Sequence, residues 1–178
     1  MQTEILIAGF GGQGVLFAGQ LLAYAGMDSG KMVTWIPSYG PEMRGGTANC
    51  TVIISDEEIG SPLVRHPSAV IAMNLPSLDK YENEIISGGV LVVNSSMVNR
   101  GVTRPDIKVV SIPGNEIAEA LSDKRMTNMV LLGGLLANLP FLQLEAIEKA
   151  LADHLPVRHQ RLLPLNYKAL HQGAEYRS

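Results

Sequence analysis

The sequence has 178 residues, a formal net charge of −3, 46% hydrophobic residues and only 17% charged ones. That length supports a real core, and the composition is the reverse of the apolar-poor, charge-rich pattern of disorder. With no strong Lys/Arg cluster and a net acidic balance, a nucleic-acid binder is excluded; the single Cys50 excludes an intramolecular disulfide, an all-cysteine zinc site and an iron–sulfur cluster held within the chain. One domain over residues 1–178 is expected. Met1-Gln2-Thr3-Glu4 lacks the positive start of a signal peptide, and the longest apolar run, residues 129–137, is too short to span a bilayer. The expectation is a cytoplasmic protein with no membrane partner.

In chain order, residues 4–8 form a short apolar run ending in glycines, the pattern of a buried parallel strand. Residues 15–27 are Ala-rich, apolar and free of Pro, which predicts a helix. Residues 31–36 are β-prone and stopped by Pro37; residues 38–46 then read as a loop, and residues 47–55 as the next strand. Residues 69–73, 89–93 and 107–112 are further strands, with helical spacing of Leu78, Tyr81 and Ile85 between the first two. Helices are predicted over 116–121, 128–139 and 144–155, the last with Leu144, Ile147 and Leu151 on one face. A final helix over 158–172 is interrupted early by Pro164. Strands alternating with helices predict an α/β fold with a mostly parallel sheet.

Gly9-Phe10-Gly11-Gly12-Gln13-Gly14 fits G-x-G-x-x-G, follows a predicted strand and opens a predicted helix, the context such a turn requires. On that pattern Gly9 allows the tight turn, Gly11 lets a ligand approach the backbone, and Gly14 packs helix against strand. The N–H groups suit a phosphate or carboxylate; a tight turn without a ligand is the alternative. The acid that would bind the ribose of NAD, about 20 residues further on at the end of the second strand, is absent, and Asp28 falls before that strand. NAD is therefore disfavoured.

The loop at 38–46 carries Tyr39, Glu42 and Arg44 among glycines and Pro41, and is read either as a solvated loop or as an anion grip through Arg44. The four histidines show no metal-binding spacing, and the scattered methionines read as gap fillers. Cys50, inside an apolar strand with no His or cationic cluster beside it in sequence, reads as a buried inert thiol rather than a nucleophile. No catalytic group and no metal site are expected.

Ile5-Leu6-Ile7-Ala8-Gly9-Phe10-Gly11-Gly12-Gln13-Gly14-Val15 resembles the opening of the gamma subunit of 2-oxoacid:ferredoxin oxidoreductases. Ser38-Tyr39-Gly40-Pro41-Glu42-Met43-Arg44-Gly45-Gly46-Thr47 is similar to that subunit's second signature, and Asn166-Tyr167-Lys168-Ala169-Leu170 with Gly173 to its closing helix. The Pro-Glu-Met-Arg-Gly-Gly form is closest to the 2-oxoglutarate or branched-chain subtype. The resemblance implies a Rossmann-like three-layer domain in a complex with alpha, beta and ferredoxin-like delta subunits. Thiamine diphosphate and iron–sulfur clusters reside on those partners, and ferredoxin is reached through the complex. It implies a role in assembly and in the coenzyme A site, with Gly9, Gly11, Gly12, Gln13 and Gly14 on one side and Arg44, Gly45, Gly46 and Asn49 on the other, Arg44 being the one long cation expected there. A free-standing Rossmann-type nucleotide-binding or redox-sensing module is the alternative.

Overall fold

The structure is a computed structural model that describes residues 1–39 and 46–177. Among these, six strands, β1 (Gln2–Phe10), β2 (Met32–Tyr39), β3 (Thr47–Ser55), β4 (Ala69–Ala72), β5 (Val90–Asn94) and β6 (Lys108–Ile112), form one sheet in the order β2-β3-β1-β4-β5-β6. The pairs β1–β4, β4–β5 and β5–β6 are parallel, whereas β3 runs antiparallel to both β1 and β2. Five strands thus point one way and β3 alone opposes them, the mostly parallel sheet expected. Because β2 runs in the same sense as β1, the carboxyl ends of both strands lie at the same edge of the sheet.

The helices are α1 (Val15–Asp28), α2 (Leu75–Tyr81), α3 (Gly114–Ala120), α4 (Thr127–Asn138), α5 (Leu144–His154) and α6 (Leu163–Glu175). Alternation along the strands divides them between two cores. Ile5, Ile7, Ile71 and Val92 face the thicker layer with α1, α4, α5 and α6, while Leu6, Ala8, Val70 and Leu91 face a thinner layer with Leu78 and Tyr81 of α2. With both faces covered, β4 and β5 are buried throughout, which explains their uninterrupted apolar sequence.

Two proline expectations are corrected. Strand β2 continues through Pro37, which sits opposite Cys50, and Ser38 and Tyr39 belong to the strand rather than to a loop. Its position at the sheet's edge is the reason: there a missing N–H removes no ladder bond. Pro164 starts a helix instead of interrupting one. It occupies the first turn of α6, where the N–H has no intrahelical partner anyway, and residues 157–162 form a separate 3₁₀ turn.

Helices α4 and α6 meet backbone to backbone. A Cβ added at Gly133 would lie 2.0 Å from the Leu170 carbonyl oxygen, and one at Gly173 would lie 1.8 Å from that of Val130. This contact seats α4, buried from Thr127 to Leu136, against the sheet and fixes where its first residues reach.

Candidate functional site: the glycine turn and its two clefts

The turn after β1 is held by its own atoms and by neutral amides from distant elements. Gln13 Oε1 accepts from the Phe10 N–H at 2.6 Å and from Asn74 Nδ2 at 3.3 Å, while the Gln13 N–H donates to the Phe10 carbonyl at 3.2 Å. The Gly14 carbonyl accepts from Ala18 N–H at 3.0 Å, closing the first turn of α1, and from Asn128 Nδ2 at 3.2 Å. Asn128 Oδ1 in turn accepts from the Met129 N–H. The second signature is tied to the first through the Gly11 N–H, which donates to the Gly46 carbonyl at 2.8 Å. Gly46 therefore lies against the glycine turn at one edge of the sheet.

The roles of Gly9 and Gly14 differ from those read off the pattern. Gly9 lies within β1, and a Cβ there would meet Gln13 Oε1 at 2.5 Å and Met73 Cβ at 3.0 Å. It makes room for the Gln13 side chain rather than forming the turn. The left-handed backbone falls at Gly12 (φ 93°) and Gly14 (φ 77°). Gly14 admits the Asn128 amide, whose Nδ2 would be 2.4 Å from a Cβ, so its close neighbour is α4 and not a strand. Around the Cβ position of Gly12 there is open space, so the backbone there can be approached without displacing any described residue.

Two clefts of about 280 Å³ each open onto Gly12 and Gln13. One is walled by Phe17, Met126, Leu155, His159, Leu162 and Asn166, the other by Asn115, Glu119, Lys124 and Thr127; Arg125 lines both. On the opposite side of the strand ends, Gly9 and Asn49 line a much smaller recess of about 30 Å³ with Asn74 and Lys80. The structure therefore brings Gly12, Gln13 and Gly14 together, joins Gly11 to Gly46, and assigns Gly9 and Asn49 to a different recess. Arg44 and Gly45 lie outside the described residues. The expectation of a single long cation near the turn is corrected, because Lys124 and Arg125 both line a cleft that opens onto it.

Sequence reasoning missed Asn74, Asn128 and Arg125. Asn74 ends a predicted strand and caps α2 by accepting from the Ser77 N–H, and Asn128 opens a predicted helix. A lone amide at an abrupt apolar boundary was the available signal. Arg125 sits in a charged turn, Asp123-Lys124-Arg125, whose partners only the fold reveals.

Cys50 is fully buried, with its sulfur 3.6 Å from the Val15 carbonyl and filling the room left by Gly19. Burial pushes its thiol pKa up to about 12 despite the neighbouring Trp35 N–H, which disfavours the thiolate near neutral pH.

The chain is thus an α/β protein with a glycine turn at the carboxyl edge of its sheet, flanked by one largely apolar cleft and one polar cleft. Residues 4–176 match the family model described as pyruvate ferredoxin/flavodoxin oxidoreductase, and the chain belongs to that family. It is 36% identical to the ketoisovalerate oxidoreductase subunit VorA of Methanothermobacter thermautotrophicus, an alignment that covers 98% of this chain but only 36% of that one. The chain thus spans about a third of the length of that relative. It is also 36% identical to the 2-oxoglutarate synthase subunit KorC of Methanocaldococcus jannaschii, over 88% of this chain and 85% of the other. Among solved structures, the gamma subunit of a keto/oxoacid ferredoxin oxidoreductase from Geobacter sulfurreducens PCA superposes with a TM-score of 0.82 at 32% identity, covering 97% of this chain and 96% of that one.

Proposed function

We propose that the chain is the gamma component of a 2-oxoacid:ferredoxin oxidoreductase, a single domain that joins alpha, beta and ferredoxin-like delta subunits in the cytoplasm and forms part of the coenzyme A site. The observation that carries this reading is the open space at Gly12 between two clefts, in a chain whose only cysteine is buried and inert. Backbone N–H groups at that turn suit a diphosphate, and Arg44 with Gly45 and Gly46 extends the grip from the second signature. The thiamine diphosphate and iron–sulfur clusters of such a complex supply decarboxylation and electron transfer from the partner chains. This chain's own residues bind and orient the thiol carrier. The substrate is 2-oxoglutarate or a branched-chain 2-oxoacid, in keeping with the names of the KorC and VorA relatives.

Affinity purification from the native cells tests the assignment. Chains carrying thiamine and cluster-binding cysteines should co-purify, and only the assembled complex should oxidise a 2-oxoacid with ferredoxin. Robust turnover by the isolated chain, or its recovery free of such partners, overturns it.

A further inference from the structure

We infer that Arg125 selects a phosphorylated thiol carrier over one without phosphates, an inference that rests on the coenzyme A reading above. Among the described residues, Arg125 is the one charged side chain that lines both clefts at Gly12–Gln13. Its neighbours on one side are Lys124 and Glu119, which pair with each other at 2.9 Å, and on the other His159. The charges of Lys124 and Glu119 are thus already matched to each other.

The guanidinium is exposed (68%) yet oriented. Its Nε donates to Asp123 Oδ1 at 2.9 Å and its Nη2 to Oδ2 at 2.6 Å, while Asp123 Oδ1 also accepts from the Arg125 backbone N–H at 3.0 Å. That grip lowers the Asp123 pKa and raises that of Arg125, so both remain ionised across the neutral range. Nη1 has no hydrogen-bond partner among the described residues. The pair is neutral overall, so it offers a fixed set of donors and not a diffuse positive field. Such donors discriminate by hydrogen bonds to phosphoryl oxygens, for which the planar guanidinium is well matched.

The experiment uses the assembled complex with wild-type chain, Arg125→Ala and Arg125→Gln. KM is measured for coenzyme A and for pantetheine, which carries the thiol but no phosphate, alongside hydrogen exchange of residues 9–14 with and without coenzyme A. Both variants should raise KM for coenzyme A by about tenfold or more, the loss of one charge-assisted hydrogen bond. KM for pantetheine and kcat should stay within about twofold of wild type. An equal rise for both thiols, or none for coenzyme A, overturns the role of Arg125. If coenzyme A still protects residues 9–14 in that case, the coenzyme A reading survives and only this inference fails. Absence of that protection in the wild-type complex overturns the reading itself, and the inference with it.

Discussion

At the carboxyl end of β1 the turn is held by neutral groups, namely the side-chain amides of Gln13, Asn74 and Asn128 and the backbone around them. On the other face, beyond α2, a second polar region is held by ions. Glu82, only 3% exposed, accepts from the Thr103 N–H and from Thr103 Oγ1 at 2.7 Å, and pairs with Arg100 at 2.8 Å. Arg100 also reaches Asp79 at 2.7 Å, and Arg104 donates to the carbonyls of Glu82 and Ile85. The ionic region matches its charges internally and pins residues 100–104 to α2 and the turn that follows it. The amide-held turn uses side-chain amides for support and leaves backbone beside open clefts. One is a closed clasp, and the other stands open beside its clefts.

The contrast is broken most severely by pushing apart the helices that aim Asn128 at the turn. Gly173→Ala inserts a methyl 1.8 Å from the Val130 carbonyl oxygen, and neither backbone can yield without moving a helix. We expect a loss of about 3 kcal/mol, seen as a melting temperature lower by roughly 6–12 °C. An unchanged melting temperature would mean that α4 and α6 pack otherwise.

A smaller effect separates the two left-handed glycines. Gly14→Ala combines about 1–2 kcal/mol of left-handed strain with displacement of the Asn128 amide, about 1 kcal/mol more. Gly12→Ala carries the strain alone, since nothing lies within 4 Å of its Cβ position. Denaturant unfolding should rank Gly14→Ala below Gly12→Ala, and adding Asn128→Ala should cost less in the Gly14→Ala background than in wild type. Additive losses would uncouple the two residues.

The smallest expected effect is in the clasp, and it depends on pH. Burial by itself would raise the Glu82 pKa, but hydrogen bonds from Thr103 and the Arg100 contact outweigh it and leave it lowered. A carboxyl whose folded pKa is depressed stabilises above its unfolded value, about 4.3, and that contribution disappears as pH falls through the folded pKa. Glu82→Gln should therefore be less stable than wild type by about 1.5 kcal/mol at pH 7, with the gap closing below about pH 4. Urea midpoints across that range measure it. A gap that persists undiminished in acid would assign the effect to packing.

Much of this molecule follows from local sequence. Period-2 and continuous apolar runs, Pro-free Ala-rich stretches and the G-x-G-x-x-G turn set the element order, because they depend on neighbours a few residues apart. The two proline misreadings mark where local rules run out: Pro37 is tolerated only because β2 lies at an edge, and Pro164 only because it falls in a helix's first turn. The direction of β3 and the separation of Gly9 and Asn49 from Gly12 are likewise properties of the assembled sheet.

The sequence by itself determined that the chain folds as an α/β unit with a glycine turn after its first strand. Only the tertiary structure decided what stands around that turn. Asn128 lies 114 residues from Gly14, and Arg125 shares its clefts because α4 is seated through glycines that admit α6. Turn conformation is local and can be read along a chain. The walls of a cleft are set by which helices pack together, and packing is decided by surfaces that meet only in the folded state.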